Sequence, residues 1–189
     1  MLDDPLKKTS NDGVDIKSEI TRNWFVFYTA PRAEKVVYQE LINRKYEAFL
    51  PVTKTLRIWK NRQKKMIEIV LFPSYIFVKT QKHELSNIIR IPKITSFIHF
   101  AGKPAIIPFK DIERIEKMLS LNQNVTVETN FNEGEKVRIV YGPLAGFEGI
   151  LIKQKGKTRF GIELKEINQT MFIDICTTVL EKKEYPVVV

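Results

Sequence analysis

The sequence predicts an α+β chain: an antiparallel sheet flanked by helices, followed by a small all-β barrel. Three observations carry this. Two segments, Trp24-Phe25-Val26-Phe27-Tyr28 and Leu71 to Val78, are apolar on both faces, so as strands they need cover above and below. Between and after them lie three runs that read as helices. Beyond Gly134 the texture changes to short alternating β-runs cut by glycines, which implies a compact barrel rather than a helical unit.

Residues 1–22 are polar, mixed in charge and broken by Pro5 and Gly13, and read as a flexible tail. Trp24 to Tyr28 follows as a central strand. Pro31 suits a helix first turn, and Glu34, Val37, Leu41 and Arg44 then fall at helical spacing, with Val36 and Leu41 expected inside. Phe49 to Ile58 reads as extended chain interrupted at Pro51. Lys60-Asn61-Arg62-Gln63 reads as a hairpin tip, and Met66 to Val70 returns from it. In the segment from Leu71, Pro73 offers no ladder donor, so the strand proper begins near Tyr75.

Glu84 to Arg90 is a short helix with Leu85, Ile88 and Ile89 inward, and Ile94 to Phe100 is extended. Gly102 and Pro104 mark a turn. Asp111 opens a helix whose apolar face is Ile112, Ile115, Met118 and Leu119. Asn-rich chain from 121 to 132 reads as a linker, with Val125 to Val127 a candidate ordered piece within it. The expected organisation is a tail (1–22), a first domain (23–120), a linker (121–132), a barrel (133–183) and a short tail (184–189).

The chain has 189 residues and a formal net charge of +9, which favours a polyanionic partner such as nucleic acid or a nucleoprotein assembly. Its one cysteine, Cys176, allows no intramolecular disulfide, which fits a reducing compartment. Met1-Leu2-Asp3-Asp4-Pro5 has neither the basic start nor the apolar core of a signal peptide, and no apolar run approaches a membrane span. A cytoplasmic monomer without membrane contact is expected. No enzymatic constellation stands out. His83 and His99 are not spaced as metal ligands, Cys176 has no evident base, and no phosphate-cradling Gly-Lys-Ser/Thr loop is present. No catalytic residue, cofactor or metal is expected.

The run Lys54, Arg57, Lys60, Arg62, Lys64, Lys65 holds no acid, and Trp59 sits within it. Cations interleaved with an aromatic ring suit nucleic acid, because phosphates meet the charges and a base can stack. Arg32 and Lys35 on the first helix extend the set. A solvated hairpin that blunts a sheet edge remains the plain alternative.

The pattern Gly134-Glu135-x-Val137-x-Ile139-x-x-Gly142-Pro143-x-Ala145-Gly146-x-x-Gly149 resembles a KOW motif residue for residue, with Gly142, Pro143, Gly146 and Gly149 shaping a tight loop. Ribosomal proteins also carry that motif, so the front half decides. Trp24-Phe25-Val26, a helix bearing Glu34, Phe49-Leu50-Pro51, Arg57 and the "LFPxYxFV" wording of Leu71 to Val78 resemble the amino-terminal domain of NusG-family transcription factors. Arg57-x-Trp59 and the "FPSY" form are similar to the specialised RfaH-like and polysaccharide-operon antiterminators.

The resemblance implies a NusG-type amino-terminal domain followed by an SH3-like KOW barrel. It implies a non-catalytic elongation or antitermination factor that docks on the clamp helices of RNA polymerase, reaches the gate loop and suppresses pausing. On this chain the implied polymerase-binding residues are Phe72, Tyr75, Phe25 and Tyr28, with Ser86 and Asn87 toward the gate loop. The basic hairpin would meet upstream or non-template DNA. Ile167 and Phe172 are the implied candidates for a contact with ribosomal protein S10 or Rho. A ribosome-associated or RNA-binding KOW protein is the competing reading.

Overall fold

The computed structural model describes residues 21–59, 62–121, 125–129, 134–154, 156–175 and 180–182. The expected tails, apart from residues 21–22, as well as Lys60 and Cys176, lie outside the described residues. In chain order the elements are β1 (Asn23–Thr29), α1 (Glu34–Asn43), β2 (Glu47–Phe49), β3 (Val52–Ile58), β4 (Lys64–Val70), β5 (Tyr75–Thr80), α2 (Leu85–Ile89) and β6 (Ile94–Phe97). β7 (His99–Phe100), β8 (Lys103–Pro104), β9 (Ile106–Ile107) and α3 (Phe109–Ser120) complete the front half. The back half holds β10 (Val125–Thr129), β11 (Glu135–Ile139), β12 (Glu148–Gln154), β13 (Lys157–Leu164), β14 (Gln169–Asp174) and β15 (Leu180–Lys182).

The front sheet runs β2-β5-β1-β6, with β9 also paired to β1, all antiparallel. β1 and β5 are its centre, as their two-sided apolar sequence requires. Strand alternation sorts their side chains. Phe25, Phe27, Ile76 and Val78 pack with Val37 and Leu41 of α1 and Leu85 and Ile88 of α2. Trp24, Val26 and Phe77 pack on the other side with Ile112, Ile115 and Met118 of α3. Val36, expected inside, is exposed, because α1 turns its 33-37-41 stripe to the sheet and Val36 falls one position off it.

The back half is one antiparallel sheet in the order β10-β14-β13-β12-β11-β15. Strands far apart in that order share one core, built from Val125, Val137, Ile139, Phe160, Ile162 and Ile173, so the sheet wraps on itself as a barrel. The stretch expected to be a linker contributes β10, a full strand paired with β14 from Val125↔Ile173 to Thr129↔Gln169. Arg159 explains why. Its buried guanidinium donates to Glu128 Oε1 at 2.7 Å and to the Thr126 hydroxyl, both on β10, and also to Gln154 of β12. An interior charge needs such partners, and β10 brings two of them.

The KOW residues hold special backbone. Gly142 and Gly146 both adopt φ +86°, a region that disfavours side chains. The Gly146 N–H donates to Ile139 O at 2.7 Å, closing the loop. Gly149 serves close approach: a Cβ there would lie 2.1 Å from Gly161 O and 2.7 Å from the Phe160 ring.

The two halves meet. The apolar cluster on the α3 side of the front sheet is continuous with the barrel core. The Gln169 amide reaches the Tyr75 hydroxyl, and the Arg114 guanidinium of α3 lies 5.8 Å from the Phe147 ring centre.

Candidate functional site

The turn into β5 sets the first candidate surface. Tyr75 N–H donates to Phe72 O at 3.0 Å, with Pro73 and Ser74 at the corner. Ser74 takes φ +66°, and its N–H donates to the buried Glu34 carboxylate at 2.7 Å while its carbonyl accepts from Thr29 N–H at 2.8 Å. Glu34 thus pins the strand entrance from α1, which accounts for an acid inside the protein. The turn delivers Tyr75 opposite Tyr28, and the two rings meet edge to face at 5.6 Å.

Of the four rings expected at this surface, the structure brings these two together and removes the others. Tyr28 is 38% exposed and Tyr75 is half-buried. Phe72 is 0% exposed, turned under the sheet with its ring edge-on to Phe77 at 5.6 Å. Phe25 is buried against the helices, because it has the opposite strand parity to Tyr28 and the two could not share a surface. Burial pushes the Tyr75 phenol above its ordinary value; neighbouring Tyr28 adds to this and the Gln169 contact opposes it. Ser86 and Asn87 are both exposed on α2.

The second surface is the β3–β4 hairpin, paired from Val52↔Val70 to Ile58↔Lys64. Trp59 N–H donates to Gln63 O at 2.9 Å at its tip. Arg57, Trp59, Arg62, Lys64 and Lys65 are all exposed. Arg57 lies 5.8 Å from the Trp59 ring centre. Arg32 is exposed, with φ +62°. Lys35 is engaged: it ion-pairs with Glu68 at 2.8 Å and ties α1 to the hairpin.

In the barrel, Ile167 and Phe172, the candidates for a partner contact, are both buried. Phe172 does point away from Ile173. However, Gly161 leaves a notch that takes its ring (a Cβ there would lie 2.5 Å from it), and Arg159 stacks over it at 4.6 Å. Ile167 belongs to the cluster that joins the halves, and its short helical turn (Lys165–Ile167) packs near β7.

A family model described as "Transcription termination factor nusG" matches residues 22–116. A curated relative from Streptococcus pyogenes, "Transcription termination/antitermination protein NusG", is 32% identical over 146 residues, covering 70% of this chain and 80% of its own length. The chain belongs to the NusG family. The NusG of Borreliella burgdorferi is 28% identical over 153 residues, covering 70% of this chain and 82% of that protein. Among solved structures, "Domain interaction in Thermotoga maritima NusG" matches with a TM-score of 0.53 at 18% identity, covering 87% of this chain and 98% of that one, a likeness of fold.

NusG proteins are thus the frame for the site. Their curated names make them transcription termination/antitermination factors. Among the described residues no group of His, Cys, Asp or Glu could hold a metal, and no helix is long and apolar enough to cross a membrane. Sequence reasoning missed Gln169, Arg114 and Arg159. The first two matter only because the halves touch, which no local pattern announces. Arg159 gave no signal either: it has the strand parity opposite to the core residues Phe160 and Ile162, where a cation reads as solvent-facing.

Proposed function

We propose that this NusG-family protein is a non-catalytic elongation or antitermination factor that grips the clamp helices of RNA polymerase through Tyr28 and Tyr75. The observation that carries the reading is the ring pair itself, held by the Pro73–Ser74 turn at the accessible ends of the two central strands. Rigid aromatic anchors beside a hydrophobic surface are what interfaces use as hot spots. Exposed Ser86 and Asn87 are assigned to the gate loop. The hairpin, with Arg57, Trp59, Lys60, Arg62, Lys64 and Lys65, and Arg32 beside it, is assigned to upstream or non-template DNA.

Docking competes with the barrel, because Gln169 already occupies Tyr75 and the shared apolar cluster continues from there. A polymerase that binds only the undocked form would shift the population toward it. Undocking would also uncover the Ile167 turn, the surface assigned to ribosomal protein S10 or Rho. Arg57-x-Trp59, and Ser74 at a left-handed position, support a specialised RfaH-like paralogue.

The test is a pull-down with core RNA polymerase. Tyr28→Ala with Tyr75→Ala is expected to weaken binding about tenfold or more while the fold persists. Unchanged affinity of the folded double variant would refute the docking surface. Tight RNA binding without polymerase would favour the ribosome-associated reading instead.

A further inference from the structure

The seam between the two halves is not apolar throughout. Where α3 meets the barrel it encloses a cavity of about 290 Å³. Asp111 and Arg114 line it from α3. Lys136 of β11, Glu148 of β12, Glu163 of β13, and Lys165 and Glu166 of the turn after β13 supply the charges from the barrel. Four carboxylates thus share this space with three cations, which leaves one negative charge in excess.

Asp111 is a carboxylate for which that charge is costly. Its side chain is 15% exposed. Burial raises its pKa above the ordinary 3.8, and the ion pair with Arg114 at 3.0 Å opposes the shift without cancelling it. Arg114 carries the link across the seam, since its guanidinium lies 5.8 Å from the Phe147 ring centre.

We propose that this cavity is a proton-linked latch, in which uptake of one proton at Asp111 tightens the seating of the barrel on α3. Its effect on transcription rests on the reading that a seated barrel competes with polymerase for Tyr75. The proton removes the excess charge: Glu148, Glu163 and Glu166 then balance Arg114, Lys136 and Lys165. The sign follows from linkage. Burial in the seated form disfavours the ionised carboxyl, and opening the seam returns it to water, so the seated form holds the proton more tightly. Seating therefore strengthens as pH falls through the raised value, and the gain is complete below 3.8. A single proton allows at most about tenfold per pH unit. His99 also stands near the seam, on β7 beside the Lys165–Ile167 turn, but does not line the cavity.

The experiment uses the full chain labelled with fluorotyrosine. The fluorine signal of Tyr75, assigned by its loss in Tyr75→Phe, reads seated and open forms through the Gln169 contact. Saturation transfer quantifies the open form even where it is the minor one. In wild type the ratio of seated to open is expected to rise severalfold between about pH 7 and 5. Asp111→Asn, a neutral group of the same shape, is expected to show the acid-state ratio at neutral pH and to lose the pH response. Glu113→Gln, on the exposed side of the same helix, and His99→Gln are expected to keep that response. Asp111→Asn is also expected to capture severalfold less core polymerase at neutral pH.

A wild-type ratio that does not change with pH would overturn the latch. So would a folded Asp111→Asn chain that still responds to acid, since the proton would then bind elsewhere. A Tyr75 signal without exchange at any pH would overturn reversible seating and the latch with it. Carboxyl carbon shifts of the wild-type chain give a measure that needs no variant: titration of Asp111 at its ordinary value would overturn the latch as well. Tighter seating in Asp111→Asn with unchanged polymerase capture would uphold the latch and refute the competition for Tyr75.

Discussion

Replacing Gly149 with alanine tests whether the KOW glycines act through space or through backbone freedom. A Cβ at Gly149 would sit 2.1 Å from Gly161 O and 2.7 Å from the Phe160 ring. Comfortable heavy-atom contact is roughly 3.5 Å, so β12 and β13 would have to part by more than about 1 Å. The obstacle is backbone, in a ladder where Ile150 pairs with Gly161, so it cannot rotate aside. Overpacking of this kind costs typically about 1–3 kcal/mol and occasionally more, and a cost near about 3 kcal/mol is expected.

Gly146→Ala is the control. Nothing lies within 4 Å of its Cβ position, but its φ is +86°, so it carries only the left-handed penalty of about 1 kcal/mol. The difference of about 2 kcal/mol corresponds to a shift of about 1 M in urea midpoint. Urea titration by circular dichroism reads the midpoint, and hydrogen exchange over residues 148–164 localises the loss to β12 and β13. Equal midpoints for the two variants would refute the close-approach argument.

Three further outcomes are expected. Ser74→Gly relieves a left-handed serine worth about 1–2 kcal/mol, offset by added freedom in the unfolded chain, so stability rises by about 0.5–1 kcal/mol; a lower thermal midpoint would refute strain at this turn. Arg159→Ala leaves Glu128 without its buried partner and loosens β10, costing about 2 kcal/mol with faster exchange at residues 125–129; protection there equal to wild type would show that β10 is held by its ladder alone. The Thr80 hydroxyl, and then the Gln81 N–H, hold the Glu84 carboxyl below its ordinary value of 4.5. Its contribution is therefore present above that value and lost as pH falls through the lowered folded one. Glu84→Gln is expected to flatten the stability profile between about pH 5 and 3, read by thermal melts; an unchanged profile would remove Glu84 from the acid response.

Strand parity shows how much of the site was legible in advance. Phe25 and Tyr28 differ by three positions on one strand, so they face opposite ways, and the sequence alone excluded a shared surface. Phe72 was not legible. Its burial depends on a turn in which Ser74 adopts a positive φ and on the cluster that α3 and the barrel complete. Phe172 had the right direction, but what buries it was not legible, since the notch at Gly161 and the lid of Arg159 come from a neighbouring strand.

Local chemistry by itself determined the α+β front half, the barrel, the turns at glycine, the basic hairpin and the family. Each follows from periodicity, backbone preference or a contiguous motif, which a chain carries wherever it lies in space. Tertiary structure alone decided that β10 joins the barrel, that Gln169 meets Tyr75, and that Leu56, Ile58 and Met66 share one open face of the β3–β4 hairpin. Those facts depend on cross-strand register and on contacts between residues as much as about 90 positions apart, and no local preference encodes the sum of such distant pairings.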